Sequence, residues 1–119
     1  MLSLSMIQNK TGIFFLSVYQ FDGVTPQSLV GSTLWFHAAY TPAGFVVNKN
    51  SSGSGITIQN IAGGLNCATL QIEPGDTTSL ALGAEAVAAM DCELVLQNGV
   101  ESYELDKGTL TVTGNVGTP

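Results

Sequence analysis

Alternation closed by turn chemistry governs the second half of this chain. Residues 56–61, 66–72 and 91–98 each read as a strand, because apolar and polar side chains exchange places along them. A fourth run, residues 108–113, follows. Pro74-Gly75-Asp76-Thr77 and its Ser/Thr continuation separate the second run from the third, and Asn98-Gly99 closes the third. Strand, strand, short acidic crossover, strand, turn, strand is an order that commits the chain to an all-β fold.

The first half continues the pattern. Leu2, Leu4 and Met6 alternate with Ser3 and Ser5, which gives a first strand. Residues 13–19 are rich in β-branched and aromatic side chains and look apolar on both faces. Of these, Phe14, Leu16 and Val18 are assigned to the core. The loop over residues 21–31 holds the tight-turn signal Asp22-Gly23 and Pro26, which excludes a central strand, while Leu29 dips back inward. Residues 32–40 form the next strand, with Leu34, Phe36 and Ala38 on one face and Trp35, His37 and Ala39 on the other. Thr41-Pro42-Ala43-Gly44 interrupts it before a short edge-like strand over residues 45–49. Residues 50–55 read as a mobile polar loop.

Ala62-Gly63-Gly64 reads as a turn. Pro74 and Asp76 suit a helix N-terminus, and Gly83 limits that helix to a turn or two. Residues 84–90 are ambiguous, since alanine favours helix; a strand beginning near Ala86 is adopted because Cys92, Leu94 and Leu96 alternate after it. Asn98-Gly99 makes a hairpin to residues 100–105, and Asp106-Lys107-Gly108 a second turn before the last strand. Seven or eight short strands at this spacing predict an antiparallel β-sandwich spanning residues 1–116, with 117–119 as a tail. Its predicted core is Phe14, Leu16, Val18, Leu34, Phe36, Ile56, Ile58, Leu70, Ile72, Leu94, Leu96, Leu110 and Val112.

Charge narrows the partners. Of 119 residues 10% are charged, and the formal net charge is −6, with Lys10, Lys49 and Lys107 the only Lys or Arg residues. Three scattered lysines cannot displace the counterions of a nucleic acid, so no nucleic-acid partner is expected, and no anionic membrane either. No run approaches the ~20 apolar residues of a membrane span, and no signal peptide is evident. A surface built from Ser, Thr, Asn, Gln and Gly is one that packs readily against other protein copies.

The residue pattern offers little chemistry. His37 lacks a motif that would supply a nucleophile or a catalytic carboxylate, so it reads as a packed strand residue. Asp22, Glu73, Asp76 and Asp91 could bind calcium only by pooling loops, and Asp76 reads better as a cap. No cofactor or metal is expected. Cys92 falls in the inward phase and Cys67 in the outward phase, so two unpaired thiols are expected over a disulfide. Trp35 and Tyr40 could form a sugar-stacking platform for a host surface glycan, although aromatics more often serve cores and interfaces.

Three stretches together resemble a known architecture. KTGIFFLSVYQFDGVTPQSLVGSTLWFHAAY is similar to the opening of the immunoglobulin-like domain at the N-terminus of phage baseplate upper proteins, through Asp22-Gly23, Pro26, Leu29, Gly31 and Phe36. GSGITIQNIAGGLNCATLQIEPGDTTSL resembles that family's G-I-T-I strand, glycine turn, return strand and P-x-D-T crossover, and CELVLQNGVESYELDKGTLTVT its closing hairpin. The resemblance spans roughly residues 10–116. Where the family is basic or polar after its third strand, residues 40–47 here are apolar.

The resemblance implies an immunoglobulin-like sandwich and a non-enzymatic phage structural module. It would be made in the host cytoplasm and resident in the virion, at the tail or baseplate, a connector or the capsid surface. Its partners would be other virion proteins and copies of itself. Leu2, Leu4 and Met6, offered to a neighbour's sheet, and the apolar Tyr40, Phe45, Val46 and Val47 are the candidate contact residues.

Overall fold

The structure is a computed structural model. It describes residues 2–19, 24–25, 27–29, 31–53, 55–61, 64–80, 82–83 and 86–115. Eight strands run in chain order: β1 (Leu2–Ile7), β2 (Gly12–Ser17), β3 (Thr33–Tyr40), β4 (Phe45–Asn50), β5 (Ile56–Ile61), β6 (Gly64–Ile72), β7 (Val87–Asn98) and β8 (Glu101–Thr113). One sheet has the order β1-β8-β7-β3-β4 and the other β2-β6-β5. Strands β2 to β8 therefore take the places of B, C, C′, D, E, F and G in an immunoglobulin-like sandwich. The expected turns at Asp22-Gly23 and Ala62-Gly63, Pro26, and the tail at 117–119 lie outside the described residues.

Period-two patterning places the core between the sheets. β3 pairs with β7 so that Leu34 faces Leu96, Phe36 faces Leu94 and Ala38 faces Cys92. β7 pairs with β8 so that Met90 meets Leu110 and Ala88 meets Val112. From the opposite sheet Leu16, Ala68, Leu70, Ile72 and Ile56 close over them. Eleven of the thirteen predicted core residues are buried; Phe14 and Ile58 pack against the core from its margin. Leu29 is buried as expected.

Two expectations about the last strands are corrected. Asp106-Lys107-Gly108 is not a turn: β8 runs unbroken past it, with a bulge that shifts register between Leu94 and Val95 of β7. Gly108 has another use. β1 lies parallel to β8, with Leu2 beside Gly108, and a Cβ there would sit 1.9 Å from the Leu2 carbonyl oxygen. Among the named strands the sandwich is thus antiparallel except at this one pair, with a lone parallel bridge between Asn50 and Gly55 besides. At the hairpin between β7 and β8, Asn98 pairs with Glu101, so the two-residue loop is Gly99-Val100. Gly99 has φ of 63° and Val100 does not share that sign, which is the type II′ pattern with glycine first.

The crossover after β6 closes one end of the sandwich. It holds a single helical turn, α1 (Pro74–Thr77), within the turn or two expected. Pro74 sits at its start, and Glu73 and Asp76 exchange side-chain bonds with each other's backbone as a capping box. The same Asp76 carboxylate lies 2.7 Å from the Lys49 ammonium, and Lys49 points inward from β4 at 8% exposure. On the other side the buried Gln8 amide donates to the carbonyls of Thr77 and Leu80, at 3.0 and 2.5 Å. Asn9 N–H donates to the Thr77 hydroxyl at 2.9 Å. One turn of helix thereby ties the β4 edge to the β1–β2 corner.

Gly108→Ala is expected to destabilise the fold by about 1–3 kcal/mol, since the new methyl meets backbone and not a flexible side chain. Gly75→Ala, whose Cβ would meet nothing within 4 Å, is expected to be neutral or slightly stabilising. Urea unfolding of both variants checks this. Asp76→Asn leaves the buried Lys49 ammonium without its carboxylate, and a loss of about 1–3 kcal/mol is expected in the same assay, below the cost for a fully buried pair because Asp76 is partly solvated.

Candidate interaction faces

The two sheets present outer faces of opposite character. On the five-stranded sheet, the outward phase of β3 carries Trp35 and His37, which stack with ring centroids 5.8 Å apart and planes 13° from parallel. Trp35 Nε1–H donates to Gln97 Oε1 at 2.9 Å, and His37 Nδ1–H donates to Asn48 Oδ1 at 2.5 Å. β7 and β8 add acids to this face. Asp91 lies in register with Ala39, Glu93 with His37 and Lys107, and Glu104 with Val95. The result is an acidic face with a half-buried aromatic row at its β3 side.

The strands of the three-stranded sheet carry no charge of their own, although the Gln71 amide holds the Glu73 carboxylate at 2.5 Å at one end of the face. β2, β5 and β6 contain no Asp, Glu, Lys or Arg. Its outer face pairs Ile13 with Gln71, Phe15 with Thr69 and Ser17 with Cys67, and Thr57 of β5 lies beyond Thr69. Phe15 is 81% exposed and Ile13 53%. Single exposed apolar residues are ordinary, but two on one strand of an uncharged sheet form a patch.

The residues singled out from sequence are placed differently from expectation. Met6, Phe45 and Val47 are buried, while Leu2, Leu4 and Tyr40 pack against the core. Of the seven, only Val46 stands mainly in solvent, at 59% exposure. Residues 40–47 are apolar because β4 lends its inward phase to the core, and β1 pairs within its own sheet. Tyr40 lies in the opposite strand phase from Trp35, so the two do not form one platform; the ring beside Trp35 is His37. The exposed pair Ile13 and Phe15 was missed, although the both-sided apolar pattern of residues 13–19 was its signal.

The acidic candidates do not converge on one site. Asp76 caps α1, as the cap reading anticipated, and Glu73 shares that box. Asp91 stands on the β7 face, far along the chain from that cap, and Asp22 lies outside the described residues. Among the described residues no three His, Cys, Asp or Glu side chains gather as a metal site. The hydrogen-bonding partner found for His37 is an amide. Cys67 and Cys92 are both free, and the Cys67 thiol bonds weakly with Ser17 and Asn66, at 3.6 Å each. Burial pushes the Cys92 thiol up from its ordinary value, with the Asp106 and Asp91 carboxylates adding to the effect and a backbone hydrogen bond at Gly108 opposing it.

No helix among the described residues is long and apolar enough to cross a membrane. No protein-family model matches the chain, and no curated protein sequence matches it either.

The thiols make a direct check of this geometry. Cys67, half-buried at the sheet surface, is expected to react with a thiol reagent before Cys92, which reacts only as the fold opens. A raised folded-state value also fixes the pH dependence. Stability from Cys92 is full below the ordinary 9.0 and falls as pH rises above it, because the unfolded thiol ionises first. Alkaline urea titrations should show this slope, and Cys92→Ala should flatten it.

Proposed function

We propose that this chain is a non-enzymatic structural domain of a tailed-phage particle that works through repeated protein–protein contacts, with other virion proteins and with copies of itself. The observation that carries the contact role is the uncharged three-stranded sheet with Phe15 standing in solvent. Burying that ring removes apolar area from water at about 25 cal/mol per Å² and desolvates no charge. Small contacts of this kind suffice when an array repeats them. The phage setting rests on the resemblance carried by residues 10–116 and is a fold-level analogy. Tail, connector and capsid surface all suit the reading.

A second reading is glycan adhesion, favoured by the Trp35 row with amides from Asn48 and Gln97 beside it. Stacked His37 already takes one face of the indole, which leaves one face for a sugar. Quenching or enhancement of the single tryptophan by host glycans would support this reading.

Particles purified from the phage that encodes this chain test the main proposal. The chain is expected in them at a fixed copy number, as ordered repeated density by cryo-electron microscopy. A chain made during infection but absent from particles overturns it.

A further inference from the structure

Among the described residues one edge of β2 has no strand beside it. In the sandwich arrangement adopted here a first strand normally lies beside the strand in the β2 position. Here β1 has gone to the other sheet, and among the described residues β2 pairs with β6 alone. Val18 N–H donates to the Asn66 carbonyl at 2.9 Å, which marks that position as a hydrogen-bonded pair. Such pairs alternate along an antiparallel ladder. The N–H and C=O groups of Ile13, Phe15 and Ser17 therefore point away from β6, along the open edge. Next to that edge runs a cleft of about 340 Å³, lined by Leu2, Leu16, Val18, Leu94 and Leu105, with Asp106 the one charged residue in its lining.

Other edges carry protection. β4 turns the charged Lys49 inward, β5 has a register bulge between Gln59 and Ile61, and β1 shows Ser3 and Ser5 to solvent. β2 has no charge, no proline and no bulge. An unpaired edge of this kind is a template for another strand.

We infer that β2 pairs antiparallel with β2 of a second copy of this chain, about a two-fold axis at Phe15. Charge selects the occupant. Each copy carries −6, and its described charged residues all lie off β2, β5 and β6. The uncharged sheet is the surface on which an identical copy meets least like-charge repulsion. Symmetry selects the register. With Phe15 opposite its own copy, Ile13 falls opposite Ser17, and each outward N–H finds a carbonyl in a self-complementary contact. The two Phe15 rings, now exposed, become cross-strand neighbours. This rests on the assembly reading above and assigns its self-contact to one edge.

Charge exchange at the axis tests it. Phe15 is exposed, so Phe15→Lys and Phe15→Glu are expected to fold, which circular dichroism and urea unfolding verify. Light scattering over a concentration series should show the unmodified chain moving from monomer to dimer. Each variant alone places like charges directly opposite and should weaken association at least about tenfold. An equimolar mixture of the two should recover the dimer as a mixed pair. Hydrogen exchange at Ile13, Phe15 and Ser17 should slow with concentration in the unmodified chain only. Unmodified chain that stays monomeric throughout overturns the inference, as does a dimer indifferent to both substitutions. A chain found in particles yet monomeric when free overturns the β2 pairing and leaves the structural reading standing.

Discussion

The approach of β1 to Gly108 decides how the rest of the sandwich is finished. A strand can lie parallel to β8 at this point only because residue 108 has no side chain, since any Cβ would fall inside the Leu2 peptide. Once admitted, β1 delivers Met6 to the core and seals the side of the five-stranded sheet. The chain then turns at Gln8 and Asn9, and their bonds to Thr77 and Leu80 fix the crossover beneath. β2 consequently begins with one side against β6 and, among the described residues, no strand paired on the other. A single missing methyl group thus sets both the closure of one sheet and the open edge of the other.

Charge is distributed along the same division. A chain with so few ionised groups could have scattered them evenly; instead the described ones occupy β4, β7, β8, α1 and the turns. Packed sheets lie about 10 Å apart. A partner on the neutral sheet therefore stands farther from the acids by about that spacing than one on the acidic face. An acidic face favours solubility in general, and in the proposed pairing it would repel copies that approach the wrong way round.

How much of this could be read from sequence depended on whether period two was enough. Inward phases of β3, β6 and β7 were legible because one face of each is apolar and the other is not, and only one register buries such a strand. The edges were not legible. Residues 40–47 read as an apolar docking segment, yet Phe45 and Val47 are core, and no count of apolar residues distinguishes those two uses. Gly108 after Asp106-Lys107 carries the composition of a turn, while its actual role depends on a strand more than a hundred residues earlier. The burial of Lys49 was not legible because nothing local announces Asp76 as its partner. Long-range pairing is what alternation leaves out.

The candidate contact shows the same limit from the other side. The two-sided apolar pattern of residues 13–19 is visible in the sequence, but its meaning turns on what lies beside β2. Had β1 paired with β2, Phe15 would be one exposed ring on a covered strand. With β1 beside β8, the same ring stands next to a row of outward peptide groups. Pairing two such edges about a perpendicular two-fold axis would extend three strands to six and put both neutral faces on one side, both acidic faces on the other. A slab with unlike faces has a further surface on which to repeat its contacts, which is the property an array component needs.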